Sequence, residues 1–238
     1  MNSLSNYLTP LSNSDEQREK IEWSNVWIDK PADRNSPRLL MIGDSVLRMV
    51  RSRVAASTNC PTDFIGCSSS LNDVLFAGLV DYFFQTVNLK YAGVVIQYNH
   101  HGTKNADGEE YADKDYRLYH DNVSKLVEFV QQRTSNIVLV NLLDFYHIKP
   151  HFTRFIPKAI LRTLYGWSIL KEEKDEYRTH INHRRNMELR QVAQEHNVKF
   201  LDLNSTIANH KLIRTDNIHP EAKAIPIMAD AIIWQARQ

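Results

Sequence analysis

A serine, an asparagine, an aspartate and a histidine stand in this chain where acyl-transfer chemistry can use them. Ser45 ends the tripeptide Gly43-Asp44-Ser45, directly after an apolar run at 39–42. Asn99 follows a second apolar run at 93–96, and Asp216 and His219 stand three apart near the C-terminus, ahead of Pro220. A serine hydroxyl becomes a competent nucleophile when an imidazole takes its proton. A carboxylate on Nδ1 holds that imidazole in the tautomer whose Nε2 is basic, and an amide donor stabilises the charge that develops on the carbonyl oxygen. On a turn entering a helix, an Asp-x-x-His spacing can bring the carboxylate to Nδ1 and leave Nε2 facing outward. Each piece also has a plainer use. Glycine, aspartate and serine are turn and N-cap residues, and Asn99 can be an ordinary turn residue. Together the four side chains make the chain a candidate serine hydrolase or acyltransferase.

Positioning these groups requires a scaffold, and the apolar pattern supplies one. Short apolar runs at 39–42, 63–65, 93–96, 137–143 and 198–203 read as strands. Amphipathic windows at 46–56, 71–85, 116–133, 182–197 and 220–236 read as helices. Continuous apolar strands alternating with helices imply a mostly parallel sheet covered on both faces, an α/β fold built as a three-layer α/β/α sandwich. Ser45 then falls at the first turn of the helix after the first strand, at the carboxyl edge of the sheet. That helix start offers unpaired N–H groups and a positive dipole end.

Residues 1–36 read as an N-terminal arm with a helix-like piece at 16–27, packing through Ile21, Trp23, Val26 and Trp27. Residues 37–238 form the domain. The stretch 145–177 is too long for a simple connection. Its apolar residues, among them Phe152, Phe155, Ile160, Leu164 and Trp167, recur at helical intervals. It is expected to be a helical insertion that caps the site or serves as an oligomer contact.

The bulk composition narrows the partners. With 238 residues, the chain suits one sizeable α/β domain. Its 29 basic residues against 28 acidic ones give a net charge of +1, which gives no electrostatic reason to expect nucleic acid or an anionic membrane. The polar N-terminus carries no apolar core of a secretory signal, and no run approaches the ~20 apolar residues of a membrane span. A cytoplasmic location is the expectation, with Cys60 and Cys67 as reduced thiols. The pairs His100 and His101, His147 and His151, and His180 and His183 lack zinc-like spacing with either cysteine. No metal or cofactor is expected.

The residue blocks resemble the SGNH hydrolases, also called the GDSL family. The serine block reads Met41-Ile42-Gly43-Asp44-Ser45. The histidine block reads Thr215-Asp216-Asn217-Ile218-His219-Pro220-Glu221-Ala222-Lys223. The likeness extends from about Arg38 to Ala236. It implies a flavodoxin-like sheet, nucleophile Ser45, base His219, orienting Asp216, and an oxyanion hole formed by Ser45, Gly66 and Asn99. Two blocks depart from the family. Where it usually has Gly-x-Asn-Asp, this chain has Gln97-Tyr98-Asn99-His100, so an unusual rim is expected. The glycine block reads Phe64-Ile65-Gly66-Cys67-Ser68, which leaves Gly66 or Ser68 as the backbone donor.

The resulting expectation is a serine ester hydrolase that removes acyl, notably acetyl, groups from a carbohydrate or small ester. Tyr98, His100 and His101 would touch substrate, and Tyr98, Tyr146, Tyr165 and Trp167 could serve as aromatic platforms. An O-acyltransferase acting on a polysaccharide precursor uses the same triad. A binding protein with a degenerate site is the non-catalytic alternative.

Overall fold

A computed structural model of the protein describes residues 24–58, 60–67, 74–87, 89–97, 109–144, 166–209, 219 and 222–238. Among them the strands are β1 (Ser24–Trp27), β2 (Arg38–Gly43), β3 (Thr62–Cys67), β4 (Tyr91–Ile96), β5 (Ile137–Val140) and β6 (Lys199–Leu201). The helices are α1 (Ser45–Thr58), α2 (Val74–Thr86), α3 (Asp113–Gln131), α4 (Gly166–Glu195), α5 (Leu203–Asn209) and α6 (Ala224–Arg237). The strands form one sheet in the order β1-β3-β2-β4-β5-β6. All neighbours run parallel except β1, which pairs antiparallel with β3. Without β1 this is the flavodoxin-like doubly wound order. The winding reverses between β2 and β4, and the carboxyl ends of the strands at such a switch point are where doubly wound sheets bind ligands.

Side-chain alternation along each strand splits the core in two. Leu39 and Met41 of β2, Val95 of β4, and Val138 and Val140 of β5 face α1 and α6, meeting Val46, Leu47, Val50, Met228 and Ile232. Leu40, Ile42, Val94, Ile96, Ile137 and Leu139 face the opposite layer, with Val80 of α2, Val123 and Leu126 of α3, and Leu189 and Val192 of α4. Burial on both faces is why these strands read as unbroken apolar runs. The expected three-layer α/β/α sandwich is therefore the observed architecture.

At the amino edge the sheet encloses an ion pair. Arg38 and Asp63 are both fully buried, with Arg38 Nε donating to Asp63 Oδ2 at 2.8 Å and Nη2 to Oδ1 at 2.6 Å. Tyr91 Oη donates to Asp63 Oδ2 at 2.9 Å, and the Asp29 N–H donates to Oδ1 at 2.9 Å. Arg38 also donates to the carbonyls of Asp29 and Asp33, so residues 28–37 are tied down to the sheet. A buried charge pair persists when its remaining donors and acceptors are satisfied in this way. Burial and the adjacent Asp63 carboxylate push the Tyr91 phenol up, which keeps it protonated as a donor.

Several expectations need correction. Residues 24–27 form an edge strand rather than the end of a helix, and Val26 and Trp27 are 44% and 47% exposed rather than packed inward. The open edge of β3 supplies ladder hydrogen bonds that a four-residue segment cannot make for itself. Trp27 instead lies beneath the Arg51 guanidinium, 4.4 Å from its centroid. The rest of the arm, including Ile21 and Trp23, lies outside the described residues. Helix α4 starts at Gly166, well before 182, so residues 166–177 of the expected insertion belong to this 30-residue helix. Residues 145–165 lie outside the described residues. The helix ends where Asn197 turns left-handed (φ 52°) and Val198 N–H donates to Ala193 O at 2.9 Å. Neither Cys60 nor Cys67 forms a disulfide.

Candidate active site

Two glycines bring the first helix close to the sheet's carboxyl edge. Gly43, the last residue of β2, pairs in register with Gly66 of β3. A Cβ on Gly43 would lie 2.8 Å from Leu47 Cδ1 and 3.2 Å from Gln97 O. A Cβ on Gly66 would lie only 2.2 Å from Gly43 O. Real side chains do not fit such distances, so glycine is what permits the strands and α1 to meet here.

Asp44 and Ser45 then divide the roles that the tripeptide offered. Asp44 is 3% exposed and its Oδ1 accepts the Val46 N–H at 2.8 Å, while its carbonyl accepts the Arg48 N–H at 3.0 Å. Asp44 is thus the N-cap of α1. Ser45 is the first residue of the helix, half-buried, with a backbone N–H that the helix itself cannot satisfy.

The Ser45 hydroxyl meets an imidazole from the far end of the chain. Ser45 Oγ lies 2.9 Å from His219 Nε2, a hydrogen-bond distance between residues 174 apart in sequence. His219 stands just ahead of α6, which packs beside α1. The other end of α6 is held at the amino edge, where Asn136 Nδ2 donates to Ala236 O at 2.8 Å. A helix anchored at that end must begin at the opposite edge, and this delivers His219 to Ser45.

The structure brings Ser45 and His219 together, and Gly66 sits one strand away, on β3. Asp216, Asn99, Tyr98, His100, His101 and Ser68 lie outside the described residues. Gln97 does not form a rim, because it is 1% exposed. Its N–H donates to Ile42 O at 2.9 Å, and its Nε2 reaches across to Asn141 O at 3.0 Å. That bond ties the carboxyl ends of β4 and β5 together. Among the described residues, Gln97 Oε1 is buried without a hydrogen-bond partner.

A second feature of this edge was missed from the sequence. A cleft of about 560 Å³ opens at the carboxyl ends of β5 and β6, between α4 and the start of α5. Six of its residues, His183, Asn186, Met187, Arg190, Gln191 and Gln194, share one face of α4. Their three- and four-residue spacing was the available signal. Among the described residues no group of three His, Cys, Asp or Glu side chains is placed to hold a metal ion. None of their helices is long and apolar enough to cross a membrane.

No family profile matches the chain, and neither does any curated protein. Solved structures do match. A candidate acylhydrolase from Bacteroides fragilis NCTC 9343 shares 18% identity at a TM-score of 0.54, covering 87% of this chain and 92% of that one. A catalytic mutant of the acetylxylan esterase Axe2 from Geobacillus stearothermophilus shares 15% identity at a TM-score of 0.53, covering 86% and 96%. A GDSL-like lipase from Bacteroides thetaiotaomicron VPI-5482 shares 15% identity at a TM-score of 0.52, covering 84% and 87%. At these identities the likeness is one of fold, and it extends over most of each chain.

Proposed function

We propose that the protein is a serine-dependent carboxylic ester hydrolase of the SGNH (GDSL) type, removing acyl groups, acetyl foremost, from a carbohydrate. The observation that carries this reading is the 2.9 Å approach of Ser45 Oγ to His219 Nε2 at the N-terminus of α1, at the carboxyl edge where the sheet reverses its winding. A nucleophile and its base within hydrogen-bond reach, at a helix start whose N–H has no intrahelical partner, form the core of an acyl-transfer site. The names of the similar structures agree: an acylhydrolase candidate, an acetylxylan esterase and a GDSL-like lipase.

In the proposed reaction Ser45 Oγ attacks the ester carbonyl as His219 Nε2 takes the hydroxyl proton. The tetrahedral oxyanion is held by the Ser45 N–H and the Asn99 side-chain amide, with a further backbone N–H from the segment after β3. Gly66 lies within β3, flanked by β1 and β2. That position commits its backbone to the sheet and favours Ser68, beyond the strand's end, as the further donor. Collapse of the intermediate expels the alcohol, which receives the proton from His219. Water, deprotonated by the same imidazole, then releases the carboxylate and regenerates Ser45. Asp216 is assigned to Nδ1 of His219, where a carboxylate fixes the tautomer and stabilises the imidazolium. No step calls for a metal or organic cofactor.

The test is turnover of a short-chain aryl acetate together with labelling by a fluorophosphonate probe. Ser45→Ala should abolish labelling and lower kcat by about 10⁴-fold or more, with the melting temperature little changed. Retention of a tenth of the activity would remove Ser45 as the nucleophile.

A further inference from the structure

The carboxyl edge of the sheet does not end at Ser45. From Gly43 the edge passes to Gln97 at the end of β4, whose side chain is bonded to Asn141 at the end of β5. Asn141 Nδ2 in turn donates to Asp202 Oδ1 at 2.7 Å, beyond the end of β6. Adjacent strands lie about 4.8 Å apart, so the cleft over β5 and β6 is centred about 10–14 Å along this edge from β2. A chain of a few linked sugars covers such a span.

The cleft walls are rigid because their amides are already engaged. Asn186 Oδ1 accepts the Leu142 N–H at 2.7 Å and its Nδ2 donates to Leu142 O at 2.9 Å. Asn204 Nδ2 donates to the same carbonyl at 2.8 Å, and the Asp144 N–H donates to Asn204 Oδ1 at 3.1 Å. These bonds satisfy the extended backbone at 142–144 after it leaves the ladder. Arg190 is held differently. Its guanidinium lies 4.9 Å from the Phe200 ring centroid and 3.6 Å from Asp202 Oδ2, too long for a hydrogen bond, and its side chain is 58% exposed. Gln194, one helical turn further on, is also exposed. Each thus offers donors to a ligand in the cleft.

The lining selects among ligand classes. Much of the surface open to a ligand is carbon, which suits the C–H faces of a sugar, but an acyl chain would meet only two apolar side chains, Met187 and Phe200, among nine polar or charged residues. An anion such as phosphate would face Asp144 and Asp202, and a cation would face Arg190. A neutral polyhydroxylated ligand suits mixed amide, carboxylate, guanidinium and imidazole groups, and about 560 Å³ falls within the usual range of ligand pockets. We propose that this cleft is a saccharide subsite, holding sugar units of an oligosaccharide whose esterified unit lies at Ser45. The subsite rests on the reading of Ser45 as the nucleophile of a carbohydrate ester hydrolase. It adds where the rest of the substrate chain binds.

The test uses the full-length Ser45→Ala protein titrated with xylotetraose, cellotetraose and chitotetraose, followed by amide NMR shifts and calorimetry. At least one tetrasaccharide should bind saturably, with shifts in residues 141–144 and 183–194. Arg190→Ala and Gln194→Ala should each weaken that binding about tenfold, the loss of one good polar contact, with melting temperatures unchanged. In otherwise wild-type enzyme, the same substitutions should lower the ratio of kcat/KM on acetylated xylotetraose to that on an aryl acetate by about tenfold. Absence of binding by all three saccharides, or binding indifferent to both substitutions, overturns the subsite. A wild-type protein inert toward aryl acetate would overturn the esterase reading instead. Saturable binding in the cleft would distinguish that failure from failure of the subsite.

Discussion

A single methyl group added at Gly66 (Gly66→Ala) would fall 2.2 Å from the carbonyl oxygen of Gly43 and 2.4 Å from the Phe64 ring. The ring can turn aside, whereas Gly43 O belongs to the backbone of the central strand. An ordinary contact begins near 3.4 Å, so the ends of β2 and β3 must separate by about 1.2 Å. Gly43 is two residues from Ser45, and the displacement passes directly to the hydroxyl that must stay at 2.9 Å from His219 Nε2. A misplacement of about 1 Å in a reacting group costs about 10²-fold. The local overpacking should cost about 1–3 kcal/mol of stability. For 238 residues the unfolding entropy is about 0.5 kcal/mol/K, so the melting temperature should fall only about 2–6 °C. The assay is kcat/KM on a short-chain aryl acetate, measured well below the melting temperature and corrected for folded fraction. Val80→Ala is the control, since Val80 is fully buried in the opposite core layer. It should lose comparable stability and keep kcat/KM within about twofold, far less than the loss at Gly66. If Gly66→Ala kept its activity within threefold of wild type, the argument that glycine packing positions Ser45 would be wrong.

Other expectations are as direct. Asp63→Ala leaves the Arg38 guanidinium buried without its partner, so stability should fall by about 3–5 kcal/mol in denaturant titration while activity per folded molecule persists. Asn99→Ala should lower kcat by about 10²–10³ with KM little changed, and a lowered melting temperature with intact kcat would instead mark Asn99 as structural. Asp216→Asn should preserve the melting temperature and lose activity through the wrong histidine tautomer; wild-type activity would remove Asp216 from the triad. Burial pushes Tyr91 and Tyr119 up, and it pushes Tyr111 up to about 12. The folded state therefore holds these protons more tightly than the unfolded chain, where tyrosine titrates near 10. This contribution is complete below about pH 10 and is lost as pH rises, by up to about 1.4 kcal/mol per pH unit for each tyrosine. Tyr111→Phe should make the stability profile between about pH 10 and 12 shallower; an unchanged slope would contradict it.

Much of the scaffold was legible because it follows from local rules. Strands buried on both faces must be apolar throughout, so β2, β4 and β5 announce themselves, and their alternation with amphipathic helices leaves a doubly wound sheet as the compact solution. The turn at Gly43-Asp44-Ser45 was legible for the same reason, since glycine and an N-capping carboxylate act within a few residues of themselves. The side-chain types proposed for the site were also visible in the chain. Tertiary structure decided what depends on partners distant in sequence. Whether residues 24–27 become strand or helix rests on the free edge of β3 and not on those four side chains. Gln97 looks like a rim residue beside Asn99 until Asn141, 44 positions later, draws its amide into the interior. The cleft over β5 and β6 needs β5, β6, α4 and α5 together, because the amides that shape it spend their hydrogen bonds on backbone from other elements. The sequence names Ser45 and His219, but their 2.9 Å separation depends on α6 being anchored at the amino edge and packed on α1. Side-chain chemistry is carried by the residue, whereas distance is set by the packing of elements that the chain brings together only once folded.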